Sequence, residues 1–211
     1  MTTRPEIKCP SCGAPHTLSN PGIVMYSCEF CKSLVYWDKE KIINAGTVAA
    51  LPEGFSRLYR GATGTLFNKR FSVLGRARYA FGRGFWDEWF VELHDGKTAW
   101  LSEDDHEFCL EGRIDGQLQI DPALLKPGST LAVRGEQFTV EEVGQTRCLG
   151  IEGDLPKVVS PDESYRFADA SSVDGKYSLG IELDAEKPTV YFGHWLKYAS
   201  IQMDDEGEDW R

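Results

Sequence analysis

Phe71-Ser72-Val73-Leu74-Gly75-Arg76-Ala77-Arg78-Tyr79-Ala80-Phe81 decides the fold class. Phe71, Val73, Gly75, Ala77, Tyr79 and Phe81 alternate with Ser72, Leu74, Arg76, Arg78 and Ala80, a period of two that places the aromatics on one face of a strand. The stretch from Trp86 to His94, then Asp95-Gly96, then Lys97 to Leu101 reads as a hairpin. A two-residue Asp-Gly loop supplies the positive φ angles of a type I′ turn. Trp89 and Trp100, in adjoining strands, are expected to pair as core.

The pattern then recurs. Gly61 to Val73 aligns with Gly128 to Val140 at an offset of 67, with Gly, Thr, Phe and Val in register. Asp95-Gly96-Lys97 matches Asp174-Gly175-Lys176 at an offset of 79, so the second copy is about twelve residues longer, with Leu155-Pro156 through Pro161 as the expected place. The expected fold is all-β: an N-terminal zinc ribbon, then two tandem small β-barrel or β-sandwich modules from an internal duplication. The expected boundaries are a ribbon over 1–38, a connector over 39–54, modules over 55–120 and 121–203, and an acidic tail over 204–211. Whether the modules stand as separate barrels or pair into one larger body is open at this level.

Four of the six cysteines form Cys9-Pro10-Ser11-Cys12 and Cys28-Glu29-Phe30-Cys31, two C-x-x-C knuckles. Such pairs aim two thiolates at one ion, and two knuckles complete a closed tetrahedral Zn²⁺ site of structural type. An iron site uses the same spacing, whereas disulfides suit a cytosolic chain poorly. His16 is a weaker ligand candidate because four thiolates already complete the site. Cys109 and Cys148 read as small buried side chains.

The chain has 211 residues and a formal net charge of −10. Its 12% aromatic content excludes a disordered acidic chain. No apolar run approaches a membrane span, and the first residues lack a signal-peptide core, so the expected location is cytoplasmic. The acidity is uneven. Residues 116–211 carry nine basic and eighteen acidic side chains, while Gly54 to Gly84 holds seven basic residues and no acid. That run makes Arg70, Arg76, Arg78 and Arg83, with Trp86, candidate partner-binding residues; pairing with acids of the same chain competes with this. A net negative charge makes nucleic acid an unfavoured partner, and binding it through the ribbon and the basic 54–84 stretch stands as an alternative reading. Glu88, Glu92 and His94 share a strand face and are the candidates for a hydrolase or small-ligand enzyme, although no catalytic motif accompanies them.

Arg78 through Trp89, containing the block Trp86-Asp87-Glu88-Trp89, and then Asp95 to Leu101, resemble the signature of a bacterial domain-of-unknown-function family, number 4178. Ile151-Glu152-Gly153-Asp154-Leu155 and Phe192-Gly193-His194-Trp195 resemble its second half. The resemblance implies a bacterial cytosolic protein, often opened by a two-knuckle zinc ribbon, and an association with membrane-stress or polyamine-linked systems. It supplies no catalytic residue. The reading that follows is a non-enzymatic zinc-ribbon adaptor or assembly protein binding a protein partner, with structural Zn²⁺ as its cofactor.

Overall fold

The computed structural model describes residues 6–38, 41–47, 51, 56–82, 84–114, 120–161, 163–184 and 187–205. The described residues contain strands, turns and two short 3₁₀ turns, Pro122–Leu124 and Tyr198–Ser200, with no α-helix among them. No described helix is therefore long and apolar enough to cross a membrane.

The N-terminal part pairs β1 (Glu6–Lys8) with β2 (Pro15–Thr17), and β3 (Met25–Ser27) with β4 (Ser33–Asp38). Residues 41–47, expected in the connector, form β5 (Lys41–Thr47) antiparallel to β4, with Tyr36 opposite Ile43. The first half of the remaining chain runs β6 (Thr63–Leu66), β7 (Lys69–Phe81), β8 (Gly84–Leu93), β9 (Thr98–Asp104) and β10 (Glu107–Arg113). The second runs β11 (Thr130–Val133), β12 (Glu136–Leu155), β13 (Ser164–Ser172), β14 (Tyr177–Glu182) and β15 (Thr189–Leu196). β16 (Ile201–Met203) returns to pair with β6.

Each half is an antiparallel meander of the same order, and neither closes on itself. β10 pairs with β15 and β7 with β12, so eight strands form one ring: β7-β8-β9-β10-β15-β14-β13-β12 and back to β7. The question of two bodies or one is thus answered by two shared ladders. Closing the ring removes the free edges that a lone meander would leave unpaired.

Local structure repeats at the sequence offset. Gly61 and Gly128 both have φ of 86°, and each amide donates to the carbonyl of the matching valine, Val73 at 2.9 Å and Val140 at 2.8 Å. Only glycine enters this left-handed region without steric cost. The Phe67-Asn68 and Arg134-Gly135 loops have positive φ at both residues, and register shifts fall between Val73 and Gly75 and between Val140 and Glu142. Ala80 pairs with Phe85 across four residues, while its counterpart Arg147 pairs with Ser164 across sixteen. The twelve extra residues extend β12, which then pairs with β7 and finally with β3, so the insertion both closes the ring and docks the ribbon. Gly75 faces Gly153 at this seam, and a Cβ on Gly75 would fall on the Asp154 carbonyl oxygen.

Two expectations change in detail. The Asp95-Gly96 turn is not type I′: Gly96 has φ of 79° while Asp95 stays in the ordinary region, and the Gly96 amide donates to Leu93 O at 2.8 Å. This is a three-residue loop with a glycine bulge. Trp89 and Trp100 lie on opposite faces, because the register sets Trp89 against Leu101 and Phe90 against Trp100.

Alternation therefore creates two buried sides. Phe71, Val73, Trp89, Val91 and Leu101 form an outer core with Leu66, Ile201 and Met203 from β6 and β16. Phe138, Val140, Ala168, Ala170, Leu179 and Ile181 form its counterpart with Leu125 and Val133. Burying each phenylalanine at these matched positions contributes about 1.5–3 kcal/mol. The opposite faces of the same strands point into the ring.

Candidate metal centre and barrel lumen

The two knuckles fold alike. In the first, the Gly13 amide donates to Cys9 O at 2.8 Å with φ of 74°; in the second, the Lys32 amide donates to Cys28 O at 2.9 Å with φ of 59°. Their four sulfur atoms lie within 4.8 Å of one another, Cys9 to Cys31 at 3.6 Å and Cys12 to Cys28 at 3.8 Å. A tetrahedron of sulfurs at the usual zinc–sulfur distance of about 2.3 Å has edges of about 3.8 Å, so the donor set and spacing fit a metal ion held by Cys9, Cys12, Cys28 and Cys31. The Ser33 hydroxyl and amide lower the Cys31 thiol, while the Cys12 thiol beside it is raised.

His16 belongs to the joint with the barrel. Its Nε2 lies 2.8 Å from Asp154 Oδ1, and its ring stacks on Tyr26 at 4.0 Å. The Ser19 amide and hydroxyl donate to the other oxygen of Asp154. Burial alone would raise the Asp154 carboxyl, but these hydrogen bonds outweigh it and hold the group below its ordinary range. Leu18, Ile23, Met25 and Leu34 join the core cluster that contains Phe90, Trp100 and Ile151, so the ribbon packs against one end of the ring.

Inside the ring lies a cavity of about 620 Å³. β8 supplies Trp86 and Glu88, β9 Trp100 and Ser102, β10 Glu111, β13 Phe167 and Asp169, β15 Tyr191. Lys157, from the inserted segment, reaches in: its Nζ lies 2.6 Å from Glu182 and 3.5 Å from Glu88, with the ring centroids of Trp100, Tyr191 and Tyr79 at 5.2, 5.7 and 5.8 Å. Burial by itself would lower the Lys157 ammonium, yet Glu88 and the neighbouring groups hold it well above its ordinary value. Glu111 accepts from the hydroxyls of Ser102 at 2.8 Å and Ser178 at 3.2 Å. Burial pushes its carboxyl up to about 7. Asp169, open to the lumen, receives no hydrogen bond from any described residue; enclosure, then Glu111, Glu142, Glu88 and Glu141, push it up to about 8.

The residues selected from sequence separate. Glu88 lines the lumen, but Glu92 accepts from Asn20 of the ribbon at 2.6 Å and His94 is exposed past the end of β8. The three therefore do not meet in one pocket. The arginines do not form a surface stripe either. Arg78 makes a two-pronged pair with Asp87 at 2.8 and 2.7 Å, and Arg76 pairs with Glu152 at 2.9 Å; both are only 4% exposed. Arg70 grips both oxygens of Asp204 at the surface, and Arg83 lies outside the described residues. Trp86 stacks on Tyr79 at 5.3 Å inside the ring. Acids of the same chain thus take up Arg70, Arg76 and Arg78, and for the two buried arginines this is the pairing that buried charge requires. Lys157 and Asp169 carried no motif; their only sequence trace is a lysine in the longer copy and an acid between two alanines.

Fold and centre together define a class: a four-cysteine ribbon docked on an eight-stranded ring of two like-ordered meanders. The chain belongs to the family Domain of unknown function (DUF4178), whose model matches residues 60–198. Neither a curated protein nor a solved structure matches it.

Proposed function

We propose that this chain is a binding protein whose barrel lumen takes up a small molecule, with the ribbon, closed around one structural Zn²⁺, sealing one end. The carrying observation is the cavity of about 620 Å³, walled by aromatics and a few convergent polar groups. That size and lining are typical of ligand sites rather than packing defects. Zinc supplies no chemistry to the ligand in a four-thiolate site; it replaces the core that a short ribbon lacks. Cys9, Cys12, Cys28 and Cys31 hold it, and a reducing cytosol keeps them as thiols. The matched turns, bulges and outer cores support an internal duplication as the origin of the ring.

Native mass spectrometry of the gently purified chain tests this reading. One zinc per chain and a small-molecule adduct are expected, with the adduct lost in Gly180→Phe, because Gly180 borders the lumen and a Cβ there meets only ordinary contacts at 3.8 Å and beyond. No adduct in the wild-type chain, or an adduct untouched by Gly180→Phe, sinks it.

A second reading, an adaptor for a protein partner, rests on β5. Among the described residues it pairs with β4 alone and ends the sheet, and Ile42 on it is 45% exposed. Such an edge accepts an extended peptide by strand addition. Ile42→Lys would then abolish partner capture while leaving the lumen adduct unchanged.

A further inference from the structure

We infer that the lumen binds a small organic cation, its ammonium head seated between Asp169 and Glu111 and its body against the rings of Trp86 and Phe167. This rests on the ligand-holding reading above and names the ligand's chemical class. The ring contains its own example of the chemistry: the Lys157 ammonium is received by two carboxylates and three aromatic faces. Carboxylates and ring faces together are the usual seat of a partly desolvated ammonium group.

Lys157 is already matched by Glu88 and Glu182. Elsewhere in the lining, Glu111 accepts from the hydroxyls of Ser102 and Ser178 and meets no cationic partner in an ion pair, and Asp169 has no hydrogen-bond donor among the described residues. Asp169 is exposed toward the lumen, and Glu111 and Asp169 stand on either side of Gly180, each within 4 Å of a Cβ built there, so an ammonium between them would meet both carboxyl groups and favour their ionised forms. An anion entering here would keep Glu111 and Asp169 protonated and would still face the Glu88 carboxylate, so it gains no ion pair from the acidic wall. A neutral molecule would leave the two carboxylates unpaired. A divalent metal is disfavoured by geometry: among the described residues, only the four cysteines bring three or more ligand atoms together. The cation that remains is one that spreads its contacts over rings as well as oxygens.

Three probes of one shape separate the possibilities on the zinc-loaded full chain: 2-phenylethylammonium, 2-phenylethanol and phenylacetate, followed through the indole N–H signals of Trp86 and Trp100. The ammonium is expected to bind at least about tenfold more tightly than the alcohol, with no phenylacetate binding. Asp169→Asn is expected to fold, to keep the alcohol, and to lose the ammonium preference. Equal or tighter binding of the alcohol, binding of phenylacetate, or a preference that survives Asp169→Asn overturns the cation assignment and leaves a ligand-holding lumen standing. Failure of the ammonium to bind also overturns it, and if the native mass spectrum shows no adduct either, the ligand-holding reading falls with it.

Discussion

Five residues before the turn aspartate of the first hairpin stands Phe90, paired across the ladder with Trp100; five before that of the second stands Asp169, paired with Gly180. The first pair fills its part of the ring, with centroids 5.1 Å apart and the ribbon packed behind it. The second leaves a carboxylate beside empty space, since a Cβ on Gly180 would lie 3.9 Å from Asp169. On the outer faces the halves agree, with Phe71 and Phe138 buried alike. On the inner faces they diverge, and the cavity lies where they do. Shared residues hold the meander; unshared ones make the site.

The largest effect should come from truncating the two inner positions separately. Phe90→Ala should cost about 3–5 kcal/mol, as expected for a large ring removed from a closed core. Asp169→Ala should cost nothing at pH 8 or be stabilising, because it removes an unpaired carboxylate. Urea unfolding of the zinc-loaded chain measures both, and a comparable loss in the two variants would erase the distinction between a filled half and an open one.

The register shifts offer a second contrast. Gly75 has the β12 backbone pressed against it, whereas its counterpart Glu142 carries a full exposed side chain. Gly75→Ala should therefore cost about 1–3 kcal/mol by overpacking the seam. Glu142→Ala should stay within about 0.5 kcal/mol. Equal costs would mean that the ring closes by some means other than this close approach of backbones.

The pH dependence separates lumen from ribbon joint. Asp169 at about 8 and Glu111 at about 7 lie above their ordinary values, so the folded chain keeps protons that the unfolded chain has released. Their contribution is full below about pH 4 and is lost as pH rises toward 8, with Glu88, Glu141, Glu142 and Lys157 facing them. Asp154 runs the other way: its carboxyl is lowered, so its contribution is present at neutral pH and lost on acidification. Asp169→Asn should flatten the alkaline decline of the urea midpoint and leave the acid limb intact. A decline unchanged in that variant would place its origin elsewhere.

Chemistry that acts locally could be read before any coordinates. Cys9, Cys12, Cys28 and Cys31 declare themselves because a knuckle needs only four residues, and the strands of β7 and β8 because a buried face repeats every second residue. The lumen could not be read in the same way. In a closed ring both faces of a strand are covered, so alternation groups Glu88, Glu92 and His94 without showing that the strand leaves the ring between the first and the last. Phe167-Ala168-Asp169-Ala170 resembles a solvated edge, and Lys157 sits in an insertion whose path depends on the β12–β7 ladder. The charge pattern misled for a related reason. A run of arginines without acids marks a surface only if the partners are far away, whereas Asp87 and Glu152 are brought alongside by strand pairing.

The smallest expected effect is a difference near zero. Gly61 and Gly128 have the same φ and make the same hydrogen bond to the matching valine. A Cβ added at either would meet no atom within 4 Å, so only backbone strain opposes a side chain. Gly61→Ala and Gly128→Ala should each cost about 1–2 kcal/mol, the penalty of a left-handed conformation for an L-residue. The two costs, measured by urea unfolding, should agree within about 0.5 kcal/mol. That agreement is the counterpart of the Phe90 and Asp169 contrast, because it isolates the part of the halves that the ring needs to be alike. If one glycine proves tolerant and the other does not, the turns do different jobs, and the similarity of the outer frame extends no further than its strand order.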